Sequence, residues 1–222
     1  MSLESVEQAN INKRYFYRNI FTALPQFVKS GIYSAVHAYR YSKWNAAGKP
    51  VPPPHAVKQD AIKEYGNKYN VKTFIETGTF LGDMLEAVQA NFDTLYSIEI
   101  VDFIYELAKN RFKNNPKIKL LLGDSSTKLP ELVQQLKQPA LFWLDGHFSG
   151  GDTGFGETGC PIYAEIDTIF ASSHKHVILI DDARCFIGAV GYPPLAEFEQ
   201  AIKAKMPNAS FEVKDDIIRI VY

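Results

Sequence analysis

Five apolar runs in this 222-residue chain stop at residues able to do chemistry: FIETGTFLGDM (74–84), SIEI (97–100), LLGDSS (121–126), WLDGH (143–147) and LIDDA (179–183). In the first, Glu76 and Thr77 precede Gly78 and Thr79, and Gly82 opens the next segment. A glycine at a strand-to-helix turn lets the backbone approach a ligand closely. A dinucleotide fingerprint would need a further glycine at position 80, which is Phe80. A carboxylate at Glu76 would repel phosphates and suits an ammonium group. Glu99 falls 21 residues beyond Gly78, where a carboxylate can accept both hydroxyls of a ribose. Asp124 and Ser125 stand where an adenine amino group would lie. The plainer alternatives are a tight turn at Gly78, a solvated Glu99 and Asp124 as a helix N-cap. A nucleoside that carries an ammonium, as S-adenosylmethionine does, accounts for all of these residues at once.

Asp145 ends the fourth run and Asp181 and Asp182 end the fifth. If those runs are adjacent parallel strands, all three carboxylates enter one crevice, where they repel one another unless a cation joins them. A hard divalent ion with oxygen ligands, Mg²⁺ above all, answers that need. His147 lies two residues past Asp145 and is suited to take a proton near neutral pH. Arg184 either holds an anionic group of a substrate or pairs with a structural carboxylate. His174 and His176 precede the fifth run, at the far end of the sheet, and read as surface residues.

The elements that must position these groups follow from periodicity. From His55 onward, continuous apolar runs alternate with amphipathic segments at helical spacing. The helices are expected at about 55–69, from 82, 102–114, through LPELVQQL, 161–172 and 195–206. Such alternation means a buried, doubly wound, mostly parallel seven-stranded sheet. The chain ends differently, in FEVKDDIIRIVY, where three or four turn residues force antiparallel pairing. A Rossmann-like sheet closed by a terminal antiparallel hairpin is how class I methyltransferases finish. Residues 1–54 form a separate helical extension with a proline-rich hinge, and 55–222 the catalytic domain. Pro25 and Gly31 are expected to break the extension into helices.

Composition adds exclusions. Between Gln8 and Gln59 there are eight Lys/Arg and no Asp or Glu, while the rest from Asp60 carries a net charge of −7. This basic, aromatic arm suits a cover over the active site, the docking of a second copy as a homodimer, or contact with an anionic membrane surface. Nucleic acid is disfavoured, because only the arm is basic. No apolar run approaches the roughly 18–20 residues of a membrane span, and the N-terminus lacks a signal-peptide pattern. Two cysteines, Cys160 and Cys185, give no disulfide framework or zinc site. A reducing cytoplasm is the expected compartment.

IETG followed by a short bulky insert and Gly resembles the macrocin O-methyltransferase family, over about Val71–Ala183. These are metal-dependent class I enzymes that methylate sugar hydroxyls. The resemblance implies Asp145, Asp181 and Asp182 as metal ligands and His147 at the position of a base that is usually Asp. It also implies S-adenosylmethionine as cofactor and a sugar or glycosylated small molecule as acceptor. The segment GHFSGGDTGFGETGCP has no counterpart in that family's substrate loop. Rival readings are a metal-independent N- or carboxyl-methyltransferase, a nicotinamide oxidoreductase, and a non-catalytic nucleoside-binding protein.

Overall fold

The computed structural model describes residues 3–145, 161–189 and 191–222. Helices α1 (Leu3–Ala23), α2 (Gln26–Ala46) and α3 (His55–Lys68) come first. The alternating part is β1 (Thr73–Thr77), α4 (Asp83–Val88), β2 (Thr94–Glu99), α5 (Asp102–Phe112), β3 (Ile118–Leu122), α6 (Ser125–Gln134), β4 (Ala140–Leu144), α7 (Ile162–Phe170) and β5 (Val177–Ile180). After a 3₁₀ turn at Ala183–Cys185 come α8 (Leu195–Lys205), β6 (Ser210–Lys214) and β7 (Ile217–Val221). One sheet holds all seven strands in the order β3-β2-β1-β4-β5-β7-β6. β1 to β5 are parallel, and β7 lies antiparallel between β5 and β6.

The apolar runs form central strands because both faces of the sheet are covered. On one face Ile75, Ile98, Phe142, Leu144, Ile178 and Ile180 pack beneath α6, α7 and α8. On the other, Phe74, Leu95, Leu141, Trp143 and Leu179 pack beneath α3 and α4. Each large apolar side chain removed from water in this way contributes about 1.5–3 kcal/mol. That bilateral burial, repeated over β1, β2, β4 and β5, makes the sheet a rigid platform for what lies at its edges.

Three local expectations are corrected. Helix α2 runs unbroken through Gly31; glycine weakens a helix but keeps its N–H donor, whereas Pro25 removes one and does end α1. The β6–β7 turn is tighter than expected, with only Asp215 (φ 54) and Asp216 (φ 62) between the strands. Two successive positive φ values match the twist of a two-residue hairpin. His176 is not a surface residue: it is 1% exposed, and its Nδ1 accepts the Ala140 N–H at 3.0 Å. The lone pair serves the backbone between two strands, and burial, with His174 adding to it, pushes the imidazole down to about 4.

The N-terminal helices are tied to the alternating part by charge. Arg18 Nε donates to both carboxylate oxygens of Asp83 at 2.6 and 2.8 Å. Lys29 Nζ reaches Glu86 Oε1 at 2.9 Å, and the buried Arg111 meets Asp83 at 3.0 Å and Thr22 Oγ1 at 3.0 Å. Among the described residues, no helix is long and apolar enough to cross a membrane.

Candidate functional site

Backbone hydrogen bonds continue past the ends of the parallel strands and align their C-terminal residues. Gly78 N donates to Ile98 O, Asp145 N to Thr77 O, and Asp181 N to Leu144 O, at 3.0–3.1 Å. Because Thr77 pairs with Ile98 and Leu144, and Leu144 with Ile180, one further step brings Glu99, Gly78, Asp145 and Asp181 abreast on four neighbouring strands. Side chains alternate between faces along a strand, so this row belongs to the face under α3 and α4. Gly78 alone in the row has no side chain, which leaves a slot between Glu99 and Asp145. The chain turns there with φ 89, and again at Gly82 with φ 75, conformations that favour glycine. A Cβ at Gly82 would also collide with the Phe112 ring.

Glu99 is 6% exposed and accepts the N–H groups of Phe80 at 2.8 Å and Val101 at 2.9 Å. Each carboxylate oxygen has a second lone pair for a ligand. Burial raises the Glu99 carboxyl above its ordinary range, against the pull of those N–H donors. Phe80, with φ 47, carries the Arg14 guanidinium 5.1 Å from its ring centroid. Glu76 is 2% exposed and accepts the Ser97 hydroxyl at 2.7 Å, while Ser97 Oγ lies 2.6 Å from Thr79 Oγ1. Burial pushes the Glu76 carboxyl up to about 8, with Ser97 opposing and the charges of Glu99 and Asp83 adding.

Asp124 caps α6, its Oδ1 accepting the Ser126 N–H at 2.8 Å, which is the plainer of its two readings. Thr77 is fully buried one residue out of step with the row, so its side chain belongs to the opposite face. There its hydroxyl and that of Ser125 oppose the upward shift of Glu165 on α7, a fully buried carboxyl that burial pushes up to about 7.

Asp145, Asp181 and Asp182 do come together, as their placement at the ends of β4 and β5 requires. Burial and the neighbouring Asp181 charge push Asp145 well above the carboxylate range. A cation joins the group, and it is a side chain: Lys58 Nζ on α3 donates to Asp181 Oδ2 and lies 3.5 Å from Asp182 Oδ1. Burial works against the Lys58 charge, but Asp181 overrides it and holds the ammonium above its ordinary value. Burial also pushes Asp182 upward, and the Lys58 and Arg184 charges overcome it, holding the carboxyl down. Arg184 Nη1 pairs with Asp182 at 2.7 Å and with Asp216 of the hairpin turn, which is a structural use. His147 and Cys160 lie outside the described residues. Cys185 packs, partly buried, against the core.

No protein-family model matches this sequence, and no curated protein matches it. Solved structures do. An O-methyltransferase from Bacillus cereus in complex with SAH superposes with a TM-score of 0.54 at 12% identity, covering 85% of this chain and 91% of that one. The O-methyltransferase TomG from Streptomyces achromogenes, in complex with SAM, gives 0.55 at 14% identity, over 83% and 87%. The SAH-bound methyltransferase PaMTH1 from Podospora anserina gives 0.52 at 15% identity, over 89% and 97%. The fold is that of the class I methyltransferases.

Within this methyltransferase fold, sequence reasoning missed Lys58, Ser97 and Glu165. Lys58 had left a trace: it lies three, four and seven residues before Ala61, Ile62 and Tyr65, the buried stripe of α3. A lysine on an apolar stripe signals a buried partner. Ser97, inside an otherwise apolar strand, and Glu165, inside the most apolar helix, carry the same kind of mark.

Proposed function

We propose that this protein is an S-adenosylmethionine-dependent methyltransferase acting on a hydroxyl of a small molecule, with a sugar or glycosylated acceptor as the class implied by the sequence resemblance. The observation that carries the reading is the row Glu99, Gly78, Asp145, with its side-chain-free slot between two carboxylates. The cofactor's chemistry suits the donors present. Glu99 has lone pairs left for the two ribose hydroxyls, Glu76 is a buried carboxyl suited to the ammonium, and the second Asp124 oxygen can meet the adenine amino group. Gly78 lets the backbone close on the ligand.

Bound S-adenosylmethionine supplies a methyl group on a positively charged sulfur. The protein's task is to line up an acceptor oxygen behind that methyl and to remove its proton. As the oxygen–carbon bond forms, the carbon–sulfur bond breaks with its electron pair remaining on sulfur, and the hydroxyl proton passes to a base. His147, two residues past Asp145, is the proposed base. A divalent ion on Asp145, Asp181 and Asp182 does not fit the donor set, because the Lys58 ammonium stands among those carboxylates. No step is therefore assigned to a metal.

Calorimetry with S-adenosylhomocysteine and with NAD tests the reading. S-adenosylhomocysteine should bind and NAD should not. Glu99→Ala should weaken S-adenosylhomocysteine at least about tenfold, because bonds to a charged group contribute about 1.5–3 kcal/mol each, with the melting transition retained. NAD binding in preference, or an unchanged dissociation constant in the variant, overturns it.

A further inference from the structure

We propose that the acceptor side of this crevice is built around an internal cation, the Lys58 ammonium, which takes the place of a divalent ion, so that the three carboxylates bind no metal in the native protein. Asp145 and Asp181 stand abreast on adjacent strands and Asp182 follows directly. Asp181 is 1% exposed and the side chain of Asp182 is 16% exposed. Like charges gathered this far from water need a positive partner. Lys58 provides one from the inner stripe of α3, its side chain 12% exposed.

Three of the six carboxylate oxygens are already turned to protein donors. Asp181 Oδ2 accepts from Lys58, and Asp181 Oδ1 accepts the Asp182 N–H at 2.8 Å. Asp182 Oδ1 accepts from Arg184 at 2.7 Å and faces Lys58 at 3.5 Å. A hard ion needs several free oxygens around one point. Among the described residues, no three His, Cys, Asp or Glu side chains are arranged to hold a metal. An entering ion would have to expel an ammonium whose stem is packed beneath α3, or share the site with its charge. Both cost more in a desolvated crevice than in water. A lysine also retains donors beyond the one given to Asp181, and these can hold an acceptor oxygen without any ion.

The test uses the full-length protein, stripped with EDTA and dialysed, with Mn²⁺ as the probe and free Mn²⁺ followed by electron paramagnetic resonance. The wild type and Lys58→Arg should bind no Mn²⁺ into the millimolar range. Lys58→Met should gain a single site, its affinity higher by about tenfold or more, and Asp181→Asn in that background should abolish it. One-to-one binding by the wild type that is lost in Asp181→Asn overturns the proposal. So does a Lys58→Met protein that melts cooperatively yet gains no affinity. Should Lys58→Met fail to fold, the wild type and Lys58→Arg still decide, because one-to-one Mn²⁺ binding by either one that Asp181→Asn abolishes contradicts an internal cation. The proposal concerns the carboxylates and not the cofactor, so calorimetry with S-adenosylhomocysteine on the same samples separates its failure from failure of the methyl-transfer reading.

Discussion

Ser97 Oγ donates to Glu76 Oε2 at 2.7 Å across the β1–β2 ladder, and it is the hydrogen bond that holds this buried carboxyl in place. The neighbouring Trp143, paired with Glu76 on the other side, has an indole N–H that is buried without a partner among the described residues. A carboxyl this poorly solvated stays protonated far above its ordinary range, at about 8. It is therefore poised to respond to a cation arriving beside it.

Cofactor binding should accordingly release a proton. The ammonium favours the ionised carboxyl, so the complex binds fewer protons than the free protein, and affinity should rise with pH up to about 8. Calorimetry of S-adenosylhomocysteine in two buffers of different ionisation enthalpy reads this release at neutral pH, and Glu76→Gln should remove it. The same shift has a stability consequence. The folded state holds the proton that the unfolded chain gives up above its ordinary value, so wild-type stability falls as pH rises from about 4.5 to about 8. Glu76→Gln should melt above the wild type at pH 8 and level with it near pH 4. Equal proton release in both proteins removes Glu76 from the cofactor site.

His147→Ala should lower the turnover number by roughly 10²–10⁴, the usual share of a general base, with little change in cofactor affinity. In the wild type the rate should fall at acid pH as the imidazole takes up its proton, and that limb should be missing from the variant. A raised Michaelis constant with normal turnover would make His147 a substrate-binding residue instead.

Glu86→Ala should strongly destabilise the protein. It leaves Lys29, which is 8% exposed, and the guanidinium of Arg111 without their shared carboxylate. Removing one partner of a buried pair costs about 3–5 kcal/mol, which for a chain of this size lowers the melting temperature on the order of 10 °C. Differential scanning calorimetry checks it; an unchanged transition means that these charges are solvated in solution.

Acid should destabilise the fold partly through His176. Its folded-state value of about 4 lies below the ordinary 6.5, so the unfolded chain binds more protons in that window. The stability this neutral imidazole contributes is present above pH 6.5 and is lost as pH falls towards 4. His176→Gln keeps an acceptor for the Ala140 N–H, and its melting temperature should fall less between pH 7 and pH 5 than that of the wild type. Parallel declines would assign the acid sensitivity to carboxylates instead.

The alternation of elements and the position of Glu76, Glu99, Asp124, Asp145 and Asp181 at strand ends were legible because burial of a parallel sheet leaves a continuous apolar run that stops where the chain meets the crevice. The terminal hairpin was legible because too few residues separate FEV from IIRIVY for a parallel crossover, although Asp215 and Asp216 close it more tightly than expected. What could not be read were contacts between elements far apart in the chain. The need for a cation among Asp145, Asp181 and Asp182 follows from Coulomb repulsion alone. That Lys58, 123 residues before Asp181, meets it depends on how α3 crosses the sheet. His176 was misjudged because its sequence neighbours are polar, while its environment is set by the backbone of β4.

The ion pairs of the first three helices also change what the uneven charge of the chain means. Arg18, Lys29 and Lys58, three of the eight cations between Gln8 and Gln59, are already matched to Asp83, Glu86 and Asp181. For these three pairs, the contrast between a basic beginning and an acidic remainder is electrostatic self-recognition between two stretches of one chain. Salt screens the part-exposed Arg18–Asp83 pair most and the buried Lys29–Glu86 and Lys58–Asp181 pairs much less. Seating of the N-terminal helices against α4 should therefore respond to ionic strength more than the sheet does. Because Asp83 opens α4 directly after Gly82, ionic strength acting at the far end of the sequence would be felt at the Gly78–Gly82 turn beside the proposed cofactor slot.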